Sequence, residues 1–210
     1  MSLLHSASNS MMSMNKPELY ISLDIETNGP CPGLNSMLSL GAAAFFNGNM
    51  VAKFYRKLEP LSGPDFMEDS DTMTWWETQP EAWEEVNKDK ADPQVVMTHF
   101  GEWLNNIGST RGAKLVAAAW PAAFDFGYVN YYSHQYYGEN PLGFACLDMR
   151  SYANGLFNTA GYYERISEGD LYKYFNIDRT DLQPHIAIDD AIGQGRLLMA
   201  LIREAESRKS

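Results

Sequence analysis

Residues Leu19–Glu26 form a β-rich run, Leu-Tyr-Ile-Ser-Leu-Asp-Ile-Glu, that ends in two acids and is stopped by Asn28-Gly29-Pro30. Alternation along a strand sends Asp24 and Glu26 out of one face, while Leu23 and Ile25 point the other way into a core. Two like charges side by side repel, and acids are depleted from central strands. A chain that keeps this run as a strand must leave the pair at a solvated strand end or place a divalent cation between the two carboxylates. For the pair taken alone, the solvated end is the ordinary explanation.

The apolar pattern downstream supplies the rest of a mixed sheet. Met37–Phe46 is a second strand, Asn47-Gly48-Asn49 a hairpin-type turn, and Met50–Leu58 a third strand, which makes a three-stranded antiparallel meander. A polar loop follows Pro60, then a short helical region around Asp71–Asn87. Asp92-Pro93 starts a clearer helix through about Ile107, with Val96, Phe100, Trp103 and Leu104 as its buried stripe. Lys114–Trp120 reads as a buried strand, Ala122–Tyr137 as a helix and Gly143–Arg150 as another strand. Ile186–Glu206, carrying Ile192, Leu197, Leu198 and Leu201, is the last and longest helix. A meander followed by alternating helices and strands gives an α/β sheet with helices on its faces, an order that fits an RNase H-like architecture. Tyr128, Tyr132 and Tyr136 make a stripe on the Ala122–Tyr137 helix, read as packing against a neighbouring helix, with a homodimer surface as the second option.

With 210 residues, 45% hydrophobic and 20% charged, the chain suits one globular domain over residues 17–210. Met1–Lys16, rich in Ser, Met and Asn and without a signal-peptide core, is expected to be a flexible tail. No apolar run is long enough to span a bilayer, so no membrane partner is expected. Cys31 and Cys146 are too few for a disulfide framework and sit in no Cys/His cluster, which argues for a reducing, cytoplasmic setting and against structural zinc.

Two more segments carry candidate chemistry. Phe124-Asp125-Phe126 falls at the first turn of a helix after a buried strand, where an Asp commonly serves the helix dipole. In Pro184-His185-Ile186-Ala187-Ile188-Asp189-Asp190-Ala191, His185 lies near a helix start and Asp190 just over one turn along. Small Ala187 and Ala191 let that helix approach the sheet closely. A histidine at a helix start usually partners backbone groups, although the positive end of the dipole also keeps a neutral, proton-accepting imidazole available.

Each segment alone has a plain explanation, but their conjunction is specific. Leu23-Asp24-Ile25-Glu26-Thr27, then Phe124-Asp125, then His185-Ile186-Ala187-Ile188-Asp189-Asp190-Ala191 resembles the DEDDh group of 3′→5′ exonucleases, which includes proofreading subunits, RNase T and oligoribonuclease. All five functional positions are filled, and the resemblance spans about residues 19–206. The related DEDDy group would place Tyr four residues before the last Asp; Ile186 stands there, so the His form is indicated. Thr72-Met73-Thr74-Trp75-Trp76-Glu77-Thr78-Gln79-Pro80-Glu81-Ala82 further resembles the branch of phage exodeoxyribonuclease A-like and mycobacterial exoribonuclease-like enzymes, as do Trp120 and Asp148-Met149-Arg150. Many members carry Asn or His just before the Phe-Asp aspartate, where this chain has Trp120-Pro121-Ala122-Ala123.

The resemblance implies an RNase H-like, mixed five-stranded sheet with helices on both faces. It also implies a two-metal hydrolysis that releases nucleoside 5′-monophosphates from the 3′ end of single-stranded RNA or DNA. Asp24, Glu26, Asp125 and Asp190 would hold the two ions, and such hard ligands select Mg²⁺ or Mn²⁺ over Zn²⁺. Asp24 would bridge both ions, Glu26 and Asp190 would complete the nucleophile-side site, and Asp125 would bind the second ion. His185, working beside Glu26, would take the proton of the attacking water. Thr27 and Asn28 would touch the terminal sugar or base, Trp75, Trp76 or Phe124 would stack on a base, and Arg150 would contact a phosphate. Adjacent helical positions point about 100° apart, so of Trp75 and Trp76 one should be buried and one face the cleft. The duller reading of Arg150 is an ion pair with Asp148 or another acid.

A net charge of −11 argues against a grip on long duplexes, which wants Lys and Arg, but suits an enzyme that holds one strand end through metal ions. Two readings of other classes compete. A catalytically silent nucleic-acid-binding domain should lack a ligand or the base, and a small-phosphoester hydrolase should have a deep closed pocket.

Overall fold

The computed structural model describes residues 16–159 and 166–209, so the tail expected over residues 1–16 lies, Lys16 apart, outside the described residues. The acid-tipped run is β1 (Glu18–Thr27), paired antiparallel with β2 (Met37–Phe46), which in turn pairs antiparallel with β3 (Asn49–Lys57). The β2–β3 turn needs two left-handed residues, and Asn47 (φ 50°) and Gly48 (φ 80°) provide them, which is why an Asn-Gly pair closes this hairpin. On its other side β1 pairs in parallel with β4 (Lys114–Ala119), and β4 with β5 (Cys146–Asp148), giving the order β3-β2-β1-β4-β5. The expected meander and mixed sheet are both present.

Helices cover both faces. On one, α3 (Pro93–Arg111) and α4 (Ala122–Tyr132) bury Phe100, Leu104, Tyr128 and Tyr132 against Leu19, Ile21, Leu23 and Ile25 of β1. On the other, α7 (Ala187–Ser207) packs Ile188, Ile192 and Leu198 against Leu38, Ala43 and Phe45 of β2, together with α1 (Ser70–Trp76), α2 (Pro80–Val86), α5 (Met149–Leu156) and α6 (Glu168–Tyr174). The odd positions of β1 thus face one core, and the even positions, Asp24 and Glu26 among them, face α7. No helix among the described residues is long and apolar enough to cross a membrane.

Several boundaries differ from the sequence expectation, each for a local reason. The region 71–87 is two helices, because Pro80 opens a new one and disfavours helical backbone at Gln79 (φ −124°, ψ 56°). Helix α3 runs past Ile107 to a left-handed Gly112 cap (φ 56°, ψ 27°). The helix expected over 122–137 is α-helical only to Tyr132 and then makes a π-helical turn, Ser133–Tyr137, ending at Gly138. This turn sets Tyr137 against α3 at Gly101, where a Cβ would lie 2.5 Å from the ring. The strand expected over 143–150 shrinks to Cys146–Asp148, because the Asp148 side chain turns to cap α5 by accepting from Ser151 N at 2.7 Å. The tyrosine stripe is internal at Tyr128 and Tyr132, both fully buried. Its hydroxyls serve the β1–β2 connection: Tyr128 donates to Gly29 O (2.6 Å) and Tyr132 accepts from Met37 N (2.8 Å).

Candidate active site

The site forms where β1 outruns its parallel neighbour. Pairing of β1 with β4 stops at Ser22, so the Ile25 N–H beyond it is taken not by a strand but by the Asp125 carboxylate (3.2 Å). Asp125 is there because α4 begins directly after β4 and holds it in the first turn, buried. From the opposite face, the first turn of α7 brings Asp190 towards Asp24 and Glu26. Three elements distant in sequence therefore deliver four carboxylates to one place.

Packing keeps this convergence tight. A Cβ on Gly41 of β2 would overlap the carbonyl of Ala187, and one on Gly195 would overlap the Phe45 ring, so α7 lies directly on the sheet. Glu26, His185 and Asp190 offer ligand atoms all within 4.8 Å of one another. Burial, reinforced by their neighbours' charges, pushes the carboxyls of Asp24 and Glu26 well above the usual carboxylate range. Burial does the same to Asp125, and it outweighs the Ile25 N–H bond, which acts the other way. Asp190 is raised as well, again mainly by burial, against the opposing pull of its donors. Its Oδ1 accepts from Arg179 Nη2 (2.7 Å) and its Oδ2 from the His185 backbone N–H (2.7 Å).

His185 stands one residue outside the N-cap of α7, with φ of 61°. A non-glycine residue pays strain there, and the bond to Asp190 holds it in place. Its imidazole and the Trp75 indole make a T-shaped pair, with centroids 5.0 Å apart and rings at 87°. The two tryptophans divide as adjacent helical positions must. Trp76 is 2% exposed and donates to Thr27 O (2.9 Å), tying α1 to the end of β1, while Trp75 is 37% exposed beside the acids.

An open cleft of about 410 Å³ adjoins the carboxylates, lined by Glu26, Thr27, Gly29, Asp71, Trp75 and Phe124 among others. The structure thus brings Thr27, Trp75 and Phe124 to this cleft but not Asn28 or Trp76. Asn28 is buried, its Oδ1 accepting from Ser36 N (2.6 Å) and its backbone O from Asp69 N (2.8 Å). Its side chain shapes the β1–β2 connection. Arg150 does not line this cleft; its guanidinium lies 5.8 Å from the Trp120 ring, in a depression shared with Ser167 and with Glu168, whose charge also acts on Asp24 and Asp125. Asp148 is occupied with Ser151 N and Ala122 N, and among the described residues it makes no ion pair with Arg150.

Three residues near the acids escaped the sequence reading. Glu168, bonded by the Tyr172 hydroxyl, adds its charge to Asp24 and Asp125 and is itself pushed upward by burial and by Asp190. Arg179 pairs with Asp190 across the face of Tyr172, 4.4 Å from ring centroid to guanidinium. Gln194 donates from Nε2 to Asp24 Oδ1 at 2.9 Å. Only Gln194 left a signal, as a polar residue inside an apolar stripe one turn past Asp190.

The chain is 32% identical to the 3′-5′ DNA exonuclease Cap18 of Escherichia coli over 192 residues, covering 91% of this chain and 96% of the relative. In fold it is similar to a 3′-exonuclease solved in 3′-end specific recognition of a histone mRNA stem-loop (TM-score 0.67, 10% identity, 90% of this chain and 84% of that one). It is likewise similar to the nuclease domain of 3′hExo, a DEDDh family member, bound to rAMP (TM-score 0.63, 12% identity, 91% and 94%). The family model of the 3′-5′ exoribonuclease Rv2179c-like domain matches residues 19–202. Carried by a DEDDh-type fold and matched almost end to end, this chain belongs to the Rv2179c-like family of 3′-5′ exonucleases.

Proposed function

We propose that this 3′-5′ exonuclease removes nucleoside 5′-monophosphates from single-stranded 3′ ends, with two divalent ions, Mg²⁺ or Mn²⁺, held by Asp24, Glu26, Asp125 and Asp190. The observation that carries the proposal is the convergence of these four acids, Glu26 and Asp125 buried and Asp24 and Asp190 half-buried. Four carboxyls pushed upward by lost hydration, with neighbouring negative charge adding to it at Asp24, Glu26 and Asp125, cost stability unless cations sit among them. An all-carboxylate donor set with one nearby imidazole fits a hard ion. When bound, the ions supply the positive charge that activates water and stabilises the leaving oxygen.

The chain's own groups do the rest. His185, fixed by its backbone bond to Asp190 and by its T-shaped contact with Trp75, presents an imidazole beside Glu26 to accept a proton from the attacking water. Trp75 and Phe124 flank the cleft with aromatic surface for a terminal base of any identity, and Glu26 and Thr27 form its inner wall. The cleft is open, as a strand end requires and a small-phosphoester pocket would not. All four acids and the histidine are present, which argues against a silent binding domain.

The relative's name specifies DNA and the family's name RNA, so the test uses matched single strands of both, 5′-labelled, with Mg²⁺, Mn²⁺ or EDTA. We expect stepwise shortening from the 3′ end with metal and none in EDTA. No cleavage of either strand with metal present would sink the proposal. Asp24→Ala should abolish turnover. His185→Ala should lower the rate about 10²–10⁴-fold with Mn²⁺ binding retained, and normal turnover of that variant across pH 6–9 would remove His185 from the role.

A further inference from the structure

We infer that Gln194 is a positioning residue that sets the orientation of the Asp24 carboxylate for metal binding, an assignment that rests on the metal centre proposed above. Gln194 sits on α7 one turn after Asp190, among Ile192, Leu197 and Leu198, and is only 4% exposed. A stripe so buried ordinarily takes Leu or Met. Its Nε2 donates to Asp24 Oδ1 at 2.9 Å, while its Oε1 has no hydrogen-bond partner. An amide with one end buried and unsatisfied is a poor packing choice, so the bond to Asp24 is what the position provides.

The geometry explains why this helix can supply it. Gly193 and Gly195 flank the glutamine, and Gly195 lets α7 ride directly on Phe45 of β2. At that separation a glutamine reaches across to β1, whereas the shorter asparagine would fall one methylene short. Helix α7 therefore controls two ligands at once: Asp190 directly, and Asp24 through Gln194. A carboxylate that must face two ions has few useful orientations. The N–H donor engages Oδ1 from the α7 side and leaves Oδ2 available for a cation shared with the neighbouring Glu26, Asp125 and Asp190. Partners of ligand side chains act in this way generally, and their loss costs about 10- to 100-fold in metal affinity or activity.

The test is Mn²⁺ binding by calorimetry on the full chain without nucleic acid, paired with thermal melting in EDTA. Gln194→Met removes the donor and fills the stripe, and Gln194→Asn keeps the amide but shortens its reach. We expect both variants to bind Mn²⁺ about 10- to 100-fold more weakly, with the Gln194→Met melting temperature in EDTA equal to or above that of the parent chain. A purely structural glutamine gives the reverse: a lowered melting temperature in EDTA with Mn²⁺ affinity intact. Affinity within twofold of the parent in either variant overturns the inference alone. A parent chain that binds no Mn²⁺ overturns the metal centre and the inference together.

Discussion

Trp75 and Trp76 show how one residue's place in the sequence settles its role without naming it. Adjacent on a short helix, they had to diverge, and the structure puts Trp76 under the end of β1 and Trp75 beside His185. Their substitutions should therefore fail in different ways. Trp75→Ala, by removing a stacking surface, should raise KM for single strands roughly 5- to 100-fold and leave urea-induced unfolding nearly unchanged. Trp76→Ala should instead cost about 3–5 kcal/mol of stability, with what folds retaining near-parental KM. Equal KM effects from the two would show that Trp75 does not face substrate. The acids were legible because alternation and family spacing act over a few neighbouring residues. For Asn28, adjacency to the acids could not show that its side-chain oxygen accepts from Ser36 N and that it does not line the cleft. Arg179 and Glu168 were illegible because nothing local distinguishes them from surface charges; only the packing of α7 and α6 brings them to the site.

Among the elements, the β1–β2–β3 meander and the face assignment of β1 followed from the apolar pattern, whereas helix ends did not. Termini depend on caps whose partners are set by geometry, as when Asp148 leaves the strand to cap α5. The helix that matters most for chemistry is α7, and its closeness to the sheet rests on glycines whose purpose the sequence could not declare. Gly41 makes the claim testable. A Cβ there would overlap backbone atoms of Ala187, which cannot rotate away as a side chain could. Gly41→Ala should destabilise the fold by about 1–3 kcal/mol and, by lifting the start of α7, weaken Mn²⁺ binding as well. Gly127 of α4 has no atoms within 4 Å of an added Cβ, so Gly127→Ala should stabilise by about 0.4–1 kcal/mol. Urea denaturation of both variants checks the pair. Equal shifts would mean that close approach of α7 is not what Gly41 provides.

For the whole molecule, a net charge of −11 concentrates a liability at one point, four acids brought together with only part of their hydration. The metal-free fold carries that repulsion with partial relief from Arg179 on Asp190. Divalent ions that bind only the folded chain should therefore act as a stability switch for the entire protein. At a free concentration of 100 times Kd, one such ion contributes about 2.7 kcal/mol, which for a chain of this size raises Tm by roughly 5–11 °C. Melting in EDTA against saturating Mn²⁺ measures this directly. Asp24→Asn removes one of the repelling charges, so its Tm in EDTA should rise above that of the parent chain. Having lost one of the proposed ion ligands, it should gain little further from Mn²⁺. A variant that melts lower in EDTA and still gains the full Mn²⁺ increment would mean that Asp24 is a structural acid and that the cations sit elsewhere.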